Sequence, residues 1–477
     1  MLTVSVLYVL IHAEGRENVN RKKYLSFAQS TFLMRTILIL ISLCIVFLRC
    51  SESEKNIRER IASEMEKALK AELKAWYPQS IDTADGGFLS TFTYDFHPTD
   101  NQDKMIVTQA RHTWVNAKAS LRYPQEKHYK VGATHGFKFL KEKLWDKEFG
   151  GFYQLVDKHG NAKGTDLSKT AYGNAFGIYA LAAYYESSKD TAALSLAQKG
   201  FWWLEKHSHD PLHKGYFQHL RRNGTVIKRN SETLSTADTG YKDQNSSIHL
   251  LEAFTELYQV WPDTLLRERL AEMLTLIRDT MVTPKGNLTL FFQPDWTRVS
   301  FADSTEESIA KHHHLDHVSF GHDVETAYLL MEASHVLGLK EDSTTIRIAK
   351  KMDDHALHNG WDTTVGGFYD EGFYFKTKDV ITITKDTKNW WAQAEGLNSL
   401  LLMATLYPTD GRNYFKKFET LWTYTDTYLL DHTYGDFYAG GLDKQPEMKT
   451  ALKGHIWKAT YHQYRSLSNC IDRLRNR

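Results

Sequence analysis

The chain has 477 residues, of which 42% are hydrophobic and 25% charged. This composition is typical of a soluble globular protein that buries a substantial core. The 59 basic residues nearly balance the 58 acidic ones, and the formal charge is only +1. Because no net field attracts a polyanion, the sequence argues against nucleic acid and favours a neutral or modestly charged small molecule as partner.

Aromatic residues are abundant and cysteines are rare. The chain carries 12 Trp, 25 Tyr and 24 Phe, and such flat apolar faces with polar edges suit stacking on sugars, although helical packing uses the same rings. Cys44, Cys50 and Cys470 are its only cysteines, which excludes a disulfide framework. No dense Cys/His cluster indicates structural zinc.

Residues 1–50 are predicted to be a targeting segment. An apolar run at residues 36–48 is short for a membrane span, which needs about 20 residues, and it matches the core of a secretory signal. Met34 is a candidate for the true start. Cys50, followed by Ser-Glu, resembles a bacterial lipoprotein attachment site. A lipoprotein, a soluble exported protein and a single N-terminal anchor remain alternatives, and each locates residues 51–477 in the periplasm or on a membrane.

A unit made of a helical stretch, a short turn and a Gly-aromatic signal recurs six times. The signals begin at Gly86, Gly150, Gly215, Gly286, Gly366 and Gly435, with spacings of 64 to 80 residues. Between them, apolar residues recur at three- and four-residue intervals, as in residues 176–188. The pattern predicts an all-α ring of six helical hairpins with short β-like loops at one end. No Pro/Ser-rich linker interrupts it, so residues 51–477 are predicted to be a single catalytic domain.

One long segment departs from the helical pattern. Residues 291–320 contain FFQPDW and KHHHLDHVSF and look irregular and His-rich. Because structureless segments of this length in compact domains are often functional, we expect an extended loop over the site. A metal is not expected, since the HExxH pattern is absent.

Histidines at helical spacing from other polar residues are the candidate catalytic groups. Asn245 and His249 are four residues apart, and His322 and Glu325 are three apart, so Glu325 could orient its imidazole. An imidazole takes up and returns a proton near neutral pH. Two histidines on opposite faces of an open-chain sugar would invert carbon 2 through an enediolate, or form a ketose if the proton reached carbon 1. Arg111 suits the negative oxygen of that intermediate.

Seven segments jointly resemble the N-acylglucosamine 2-epimerase superfamily, and within it the cellobiose 2-epimerase branch. They are SIDTADGGFL, QARHTW, YGNAFGIYAL, NSSIHLLEAF, GHDVETAYLL, KNWWAQAEGL and WKATYHQYR, in family order between Ile57 and Arg465. The resemblance implies an (α/α)6 barrel that requires no organic cofactor and no metal. It implies catalytic roles for His322, His462 and His249, and substrate-contacting or histidine-orienting roles for Arg111, Asn245, Glu325, Trp391, Trp457, Tyr172 and Glu395.

The implied activity is 2-epimerisation of the reducing-end sugar of a β-linked disaccharide such as cellobiose or mannobiose. Gln393 in the WWxQxE motif favours this branch, whereas Ser247 and Gln463 stand where the family pattern has His and Asn. An N-acylglucosamine 2-epimerase or an aldose-ketose isomerase acting on a monosaccharide is the main alternative. An (α/α)6 glycoside hydrolase, which would need two carboxylates, and a non-catalytic sugar-binding protein are the remaining ones.

Overall fold

Helical hairpins make up most of the chain. The computed structural model describes residues 54–476, except 165–166, 230–237, 341 and 379. The helices of this described part are α1 (Glu54–Trp76), α2 (Ile106–Arg122), α3 (Lys127–Phe139), α4 (Ala171–Ser188), α5 (Thr191–His207), α6 (Gln244–Val260), α7 (Thr264–Leu276), α8 (Glu306–Asp316), α9 (Phe320–Val336), α10 (Ser343–Asn359), α11 (Trp390–Leu406), α12 (Tyr414–Tyr428) and α13 (Tyr461–Leu474). Single π-helical turns, Leu140–Leu144 and Ile277–Met281, follow α3 and α7.

The N-terminal targeting segment predicted for residues 1–50 lies outside the described residues. None of the helices in the described ranges combines the length and the apolarity needed to cross a membrane. The chain divides into two units between Arg60 and Ile61. All of the candidate site residues belong to the second unit, residues 61–477.

Two kinds of helix alternate along the chain. Helix α4 buries every residue from Ala171 to Tyr184, whereas α5 buries a stripe that includes Ala193, Ala197, Gly200 and Leu204. A helix that is apolar all round is enclosed by others, and a striped helix covers a core from outside. The inner set is α2, α4, α6, α9, α11 and α13, and the outer set is α1, α3, α5, α7, α10 and α12.

The inner helices form a ring. Each inner helix contacts the next one along the chain, and the last, α13, contacts the first, α2. Helix α1 supplies the outer partner of α13, since Glu66 accepts a hydrogen bond from Arg475 at 2.8 Å. This arrangement of six hairpins confirms the predicted all-α (α/α)6 fold.

Short strands pair beside the first turns of the inner helices. Three antiparallel pairs are β1 (Lys104–Met105) with β2 (Leu155–Val156), β3 (Lys169–Thr170) with β4 (His219–Leu220), and β5 (Lys242–Asp243) with β6 (Phe291–Phe292). A fourth sheet contains β7 (Val318–Ser319), β8 (Glu371–Phe373) and β9 (Thr382–Lys385). Each of β1, β3, β5 and β7 ends where an inner helix begins, so the pairings hold these helix starts in register.

Buried lysines link successive units at this end of the ring. Three of these lysines begin β1, β3 and β5, and each pairs with an aspartate of the preceding Gly-aromatic loop. The Nζ atom of Lys104 is 2.7 Å from Asp82, that of Lys169 is 2.9 Å from Asp146, and that of Lys242 is 2.7 Å from Asp210. Lys388 with Asp362 (2.8 Å) and Lys453 with Asp431 (2.7 Å) make the same kind of pair. In the fourth unit, Thr283 and Val318 occupy the corresponding places, so both charges are missing together.

The His-rich segment of residues 291–320 is not the extended loop that its sequence predicts. It contains helix α8, which begins at Glu306 after an N-cap in which the Thr305 side chain accepts from Ser308 N. Acidic residues in the first turn and histidines in the last turn complement the helix dipole. The prediction missed this helix because the segment has too few apolar residues to show a clear period.

Candidate active site

The candidate residues meet where the inner helices begin. The first turns carry Tyr172, Asn245, His322, Trp391 and His462, and the following turns carry Arg111, His249, Glu325, Glu395 and Arg465. Residues four apart share one face of a helix, so these two sets form successive levels of one site. Helix N-termini bear partial positive charge, which favours negative charge that develops on a bound molecule at this end.

His462 is held by a carboxylate of the neighbouring inner helix. Its Nδ1 lies 2.7 Å from Glu395 Oε1 and 3.8 Å from Glu325 Oε1, and only 5% of His462 is exposed. Because a carboxylate accepts, Nδ1 carries the proton and the lone pair is on Nε2. Burial, with the charge of Arg111, lowers the pKa of His462 well below its ordinary value, so the ring is a neutral base near pH 7.

Arg465 forms ion pairs with three buried carboxylates of the site. Its Nη2 donates to Glu325 and to Glu395, each at 2.7 Å, and its Nη1 donates to Glu252. Burial raises the pKa of Glu395, and the charge of Arg465 opposes this rise. A buried charge without a partner costs about 3–5 kcal/mol. The guanidinium therefore makes it possible to bury three carboxylates side by side.

Glu325, Glu395 and His462 also form a group that could ligate a metal, with one ligand atom of each within 4.8 Å of the others. The chemistry of this donor set argues otherwise. Arg465 already donates to both carboxylates, and its positive charge occupies the position that a cation would need. The group fits an ion-paired histidine base rather than a metal centre.

His249 has its own carboxylate partner on the same helix. Its Nδ1 is 2.8 Å from Glu252 Oε2, and the Tyr461 hydroxyl donates to the other carboxylate oxygen. Burial would raise the pKa of Glu252, but the charge of Arg465 and the bond from His249 lower it to about 2. Glu252 is therefore ionised near pH 7 and orients the His249 ring with its lone pair on Nε2.

His322 has a hydroxyl partner instead of a carboxylate. Its Nδ1 is 2.8 Å from Ser319 Oγ. The pairing with Glu325 that the three-residue spacing suggests does not form, because Glu325 is engaged by Arg465. Burial, reinforced by the charges of His249 and His317, lowers the pKa of His322 to about 3. This imidazole is also neutral near pH 7.

Trp391 lies against both His322 and His462. The centroid of its ring is 4.7 Å from that of His322 and 5.9 Å from that of His462. The two imidazoles belong to α9 and α13, so the indole on α11 is their common neighbour. Two neutral imidazoles therefore lie next to one indole ring.

Arg111 is held in place by neighbouring residues of the site. Its Nη1 donates to Trp457 O at 2.8 Å, and its Nη2 donates to the Tyr172 hydroxyl at 3.3 Å. The guanidinium also lies over the rings of Phe176 (4.7 Å) and Tyr461 (5.0 Å). These contacts preorganise a positive charge beside His249, since the Tyr172 ring also lies 5.1 Å from that imidazole.

Trp457 and Asn245 lie at the accessible side of the site. Trp457 is 46% exposed, and its ring lies 6.4 Å from that of Tyr172. An exposed indole next to a buried polar site offers a flat apolar face to a sugar. Asn245 is half-buried in the first turn of α6 and makes no side-chain hydrogen bond with the described residues. Its amide is therefore available to a ligand.

Ser319, Glu252 and Arg465 are parts of the site that the sequence analysis did not single out. Glu252 stands three residues after His249, the same spacing that drew attention to Glu325, so this signal was present. The only sequence signal for Arg465 was its position three residues after His462. Its three carboxylate partners come from three different helices, which spacing along the chain does not reveal.

The residues that distinguish branches of the family support loops and turns in this protein. Both amide atoms of Gln393 bond to the backbone of Phe368, each at 2.8 Å. Ser247 donates to the carbonyl of Asp243 (2.7 Å), and Gln463 donates to Asp436 (2.7 Å). All three are buried. Their partners show a structural role for these side chains, so any effect on specificity would act through the loops that they hold.

Comparison with known proteins agrees with this arrangement. The N-acylglucosamine 2-epimerase (GlcNAc 2-epimerase) family model matches residues 86–466. A cellobiose 2-epimerase of Bacteroides fragilis is 28% identical over 87% of this chain and 99% of that protein. A D-mannose isomerase of Marinomonas mediterranea is 25% identical over 86% of this chain and 96% of that protein.

Solved structures share the fold. The structure of a cellobiose 2-epimerase from Bacillus thermoamylovorans B4167 matches with a TM-score of 0.74 and 25% identity, over 87% of this chain and all of that one. The protein belongs to the N-acylglucosamine 2-epimerase family and is an enzyme of the carbohydrate epimerase and isomerase class.

Proposed function

We propose that the protein is a 2-epimerase acting on the reducing-end sugar of a β-linked disaccharide such as cellobiose or mannobiose. The observation that carries this proposal is the pair of neutral imidazoles, His322 and His462, that both lie beside the Trp391 ring. Epimerisation needs one base to remove a proton and a second acid to return it to the other face. The likeness to cellobiose 2-epimerases over 87% of the chain supports the disaccharide.

Proton transfer in this mechanism runs through the two Nε2 atoms. One imidazole removes the proton from carbon 2 of the open-chain aldose, and the electron pair moves to the carbonyl oxygen as an enediolate. The other imidazole takes up a proton from water, returns it to the opposite face of carbon 2 and regenerates the carbonyl, and the first imidazolium then releases its proton to water. Glu395 stabilises the imidazolium of His462, because the Nδ1 proton and the carboxylate are already aligned at 2.7 Å.

Arg111 and His249 serve the oxygen atoms of the sugar. The fixed guanidinium of Arg111 stabilises the negative oxygen of the enediolate, a charge that is absent from the ground state. His249, with its lone pair on Nε2, moves the hydroxyl proton when the sugar ring opens and closes. Trp457, which is 46% exposed, stacks on a sugar ring at the accessible side of the site.

Aldose-ketose isomerisation is the alternative that an observation favours. Both reactions share the enediolate, and the D-mannose isomerase of Marinomonas mediterranea is 25% identical over 86% of this chain. They differ only in whether the returning proton reaches carbon 2 or carbon 1. The same assay therefore separates them.

The test is incubation of the purified protein in deuterated water with cellobiose, mannobiose, glucose, mannose or N-acetylglucosamine, followed by proton NMR. We expect deuterium at carbon 2 and conversion of cellobiose to its 2-epimer. A ketose product would replace this proposal with the isomerase, and new reducing ends would indicate a hydrolase. Folded His322→Ala and His462→Ala variants should each lose turnover, and near-normal turnover in either one would contradict the two-base mechanism.

Export is a separate proposal that rests on residues 36–48 and Cys50. The apolar run supports a secretory signal, and the cysteine after it supports a lipid attachment site. Mass spectrometry of the mature N-terminus in a bacterial host tests this. A lipid-modified Cys50 is the expected result, and an uncleaved N-terminus in the cytosolic fraction would contradict it.

A further inference from the structure

The C-terminal turn of α8 and strand β8 bring together three side chains that the proposed mechanism does not use. His313 lies in the last turn of α8, His317 is the residue that follows the end of this helix, and Glu371 begins β8. One ligand atom of each lies within 4.8 Å of the others. Two imidazoles and a carboxylate that converge in this way are the ligand types of His₂Glu zinc sites.

We propose that His313, His317 and Glu371 bind a divalent transition-metal ion, Zn²⁺ in the first place, with water as the fourth ligand. Three protein ligands of the His₂Glu type and one water form a known tetrahedral zinc site. His313 Nδ1 and Glu371 Oε2 are 3.5 Å apart. This separation is close to the edge of a tetrahedron with bonds of about 2.0–2.2 Å, which is about 3.4 Å.

The hydrogen bonds around the group prepare its atoms for a metal. His317 Nδ1 lies 3.1 Å from the carbonyl of His313. Because a carbonyl only accepts, Nδ1 carries the proton and the lone pair remains on Nε2, which is the arrangement of most metal-bound histidines. The two imidazole rings are already stacked nearly parallel, with centroids 5.3 Å apart.

Second-sphere contacts hold the other two ligands. Thr384 Oγ1 lies 3.1 Å from His313 Nε2, which leaves Nδ1 directed at Glu371. Lys385 Nζ is 3.5 Å from Oε1 of Glu371, so Oε2 is the carboxylate oxygen that faces the histidines. About a quarter of each of the His313 and Glu371 side chains is exposed, which lets an ion and its water enter.

The other histidines of the same run do not join the group. His312 Nδ1 is bonded to Ser308 O at 2.8 Å, and its ring stacks on Phe301 at 4.2 Å. His314 is exposed on another face of α8. His314→Ala is therefore a matched control, because it removes an imidazole from the run and leaves the proposed ligands intact.

A metal at this position would attach α8 to the sheet next to the active site. Strand β7, which pairs with β8, ends at Ser319, the partner of His322. Binding would thus stiffen the segment that orients one of the proposed catalytic bases. The site does not share a ligand with the active site itself.

The experiment measures zinc retained by the full-length protein. Protein stripped with a chelator is loaded with ZnCl₂, dialysed and analysed for metal per chain, and Co²⁺ loading gives a visible spectrum that reports tetrahedral His₂Glu coordination. Wild type and His314→Ala should each retain one ion and show the cobalt bands. His313→Ala, His317→Ala and the near-isosteric Glu371→Gln should lose both, with unchanged circular dichroism.

Two results from these samples would overturn the proposal. The first is the absence of retained zinc in the wild-type protein after loading. The other is retention by folded His317→Ala and Glu371→Gln at the wild-type level, which would locate the metal elsewhere. A His462→Ala variant tests the remaining cluster, because its zinc content should equal that of wild type and a loss would assign the ion to the active site instead.

Discussion

Glu395→Gln tests how the buried carboxylates contribute to proton transfer. The substitution keeps an oxygen acceptor for His462 Nδ1 and nearly the same shape, but it removes the negative charge 2.7 Å from that nitrogen. When His462 takes up the substrate proton, the wild-type site gains an ion pair. With an effective dielectric constant of about 20, two unit charges at this distance interact by roughly 6 kcal/mol.

Part of that energy is recovered in the variant, because a neutral hydrogen bond to the amide oxygen replaces the ion pair. We take the net loss as about half, or about 3 kcal/mol, which lowers kcat by about 10²-fold. Glu395 is 0% exposed and contacts His462 and Arg465. Its removal should therefore leave KM nearly unchanged.

The assay is initial-rate kinetics on the sugar identified by NMR, with circular dichroism to verify folding. Glu256→Gln is a suitable control, since Glu256 is also a buried carboxylate on an inner helix but pairs with Lys118 at 2.5 Å. That variant should keep a near-normal kcat. A folded Glu395→Gln enzyme with kcat within a few-fold of wild type would refute the role of the carboxylate, and so would a loss confined to KM.

Three further predictions concern stability, substrate affinity and pH. Lys242→Val and Asp210→Thr each leave a buried charge without its partner, so each should lower the free energy of unfolding by about 3–5 kcal/mol. The double variant, which copies the residue types of the fourth unit, should lose clearly less stability than the sum of the two single variants. Strict additivity in urea denaturation would contradict the pairing. Trp457→Ala should raise KM about tenfold, equivalent to about 1.4 kcal/mol of sugar stacking, with little change in kcat; a fall in kcat at constant KM would argue against stacking. Burial lowers the pKa of His112 from 6.5 to about 3. Between these two pH values the unfolded chain binds a proton that the native state does not. The free energy of unfolding therefore falls as the pH drops below about 6.5. Between pH 7 and pH 5 this one residue should cost about 2 kcal/mol, and a His112→Gln variant with the same pH slope as wild type would disprove the assignment.

The helical hairpins and their number were determined by the sequence itself. Each hairpin is encoded locally, by apolar residues at helical intervals and by a glycine-aromatic turn that recurs six times, and local patterns are what a sequence displays directly. The family was also evident, because its motifs occur in order along nearly the whole chain. Helix α8 was not predicted, because its polar composition hides the helical period of its apolar residues.

The partners of the site residues were decided only by the tertiary structure. His462 and Glu395 are 67 residues apart, and Arg465 and Glu252 are 213 apart. No spacing along the chain predicts such contacts, since they arise when the ring brings the first turns of different helices together. The Arg465 side chain also reaches Glu325 from another helix. His322 is therefore hydrogen-bonded to Ser319 and not to Glu325. Sequence identifies which residues can titrate, and burial and charge in the closed ring set what each one does.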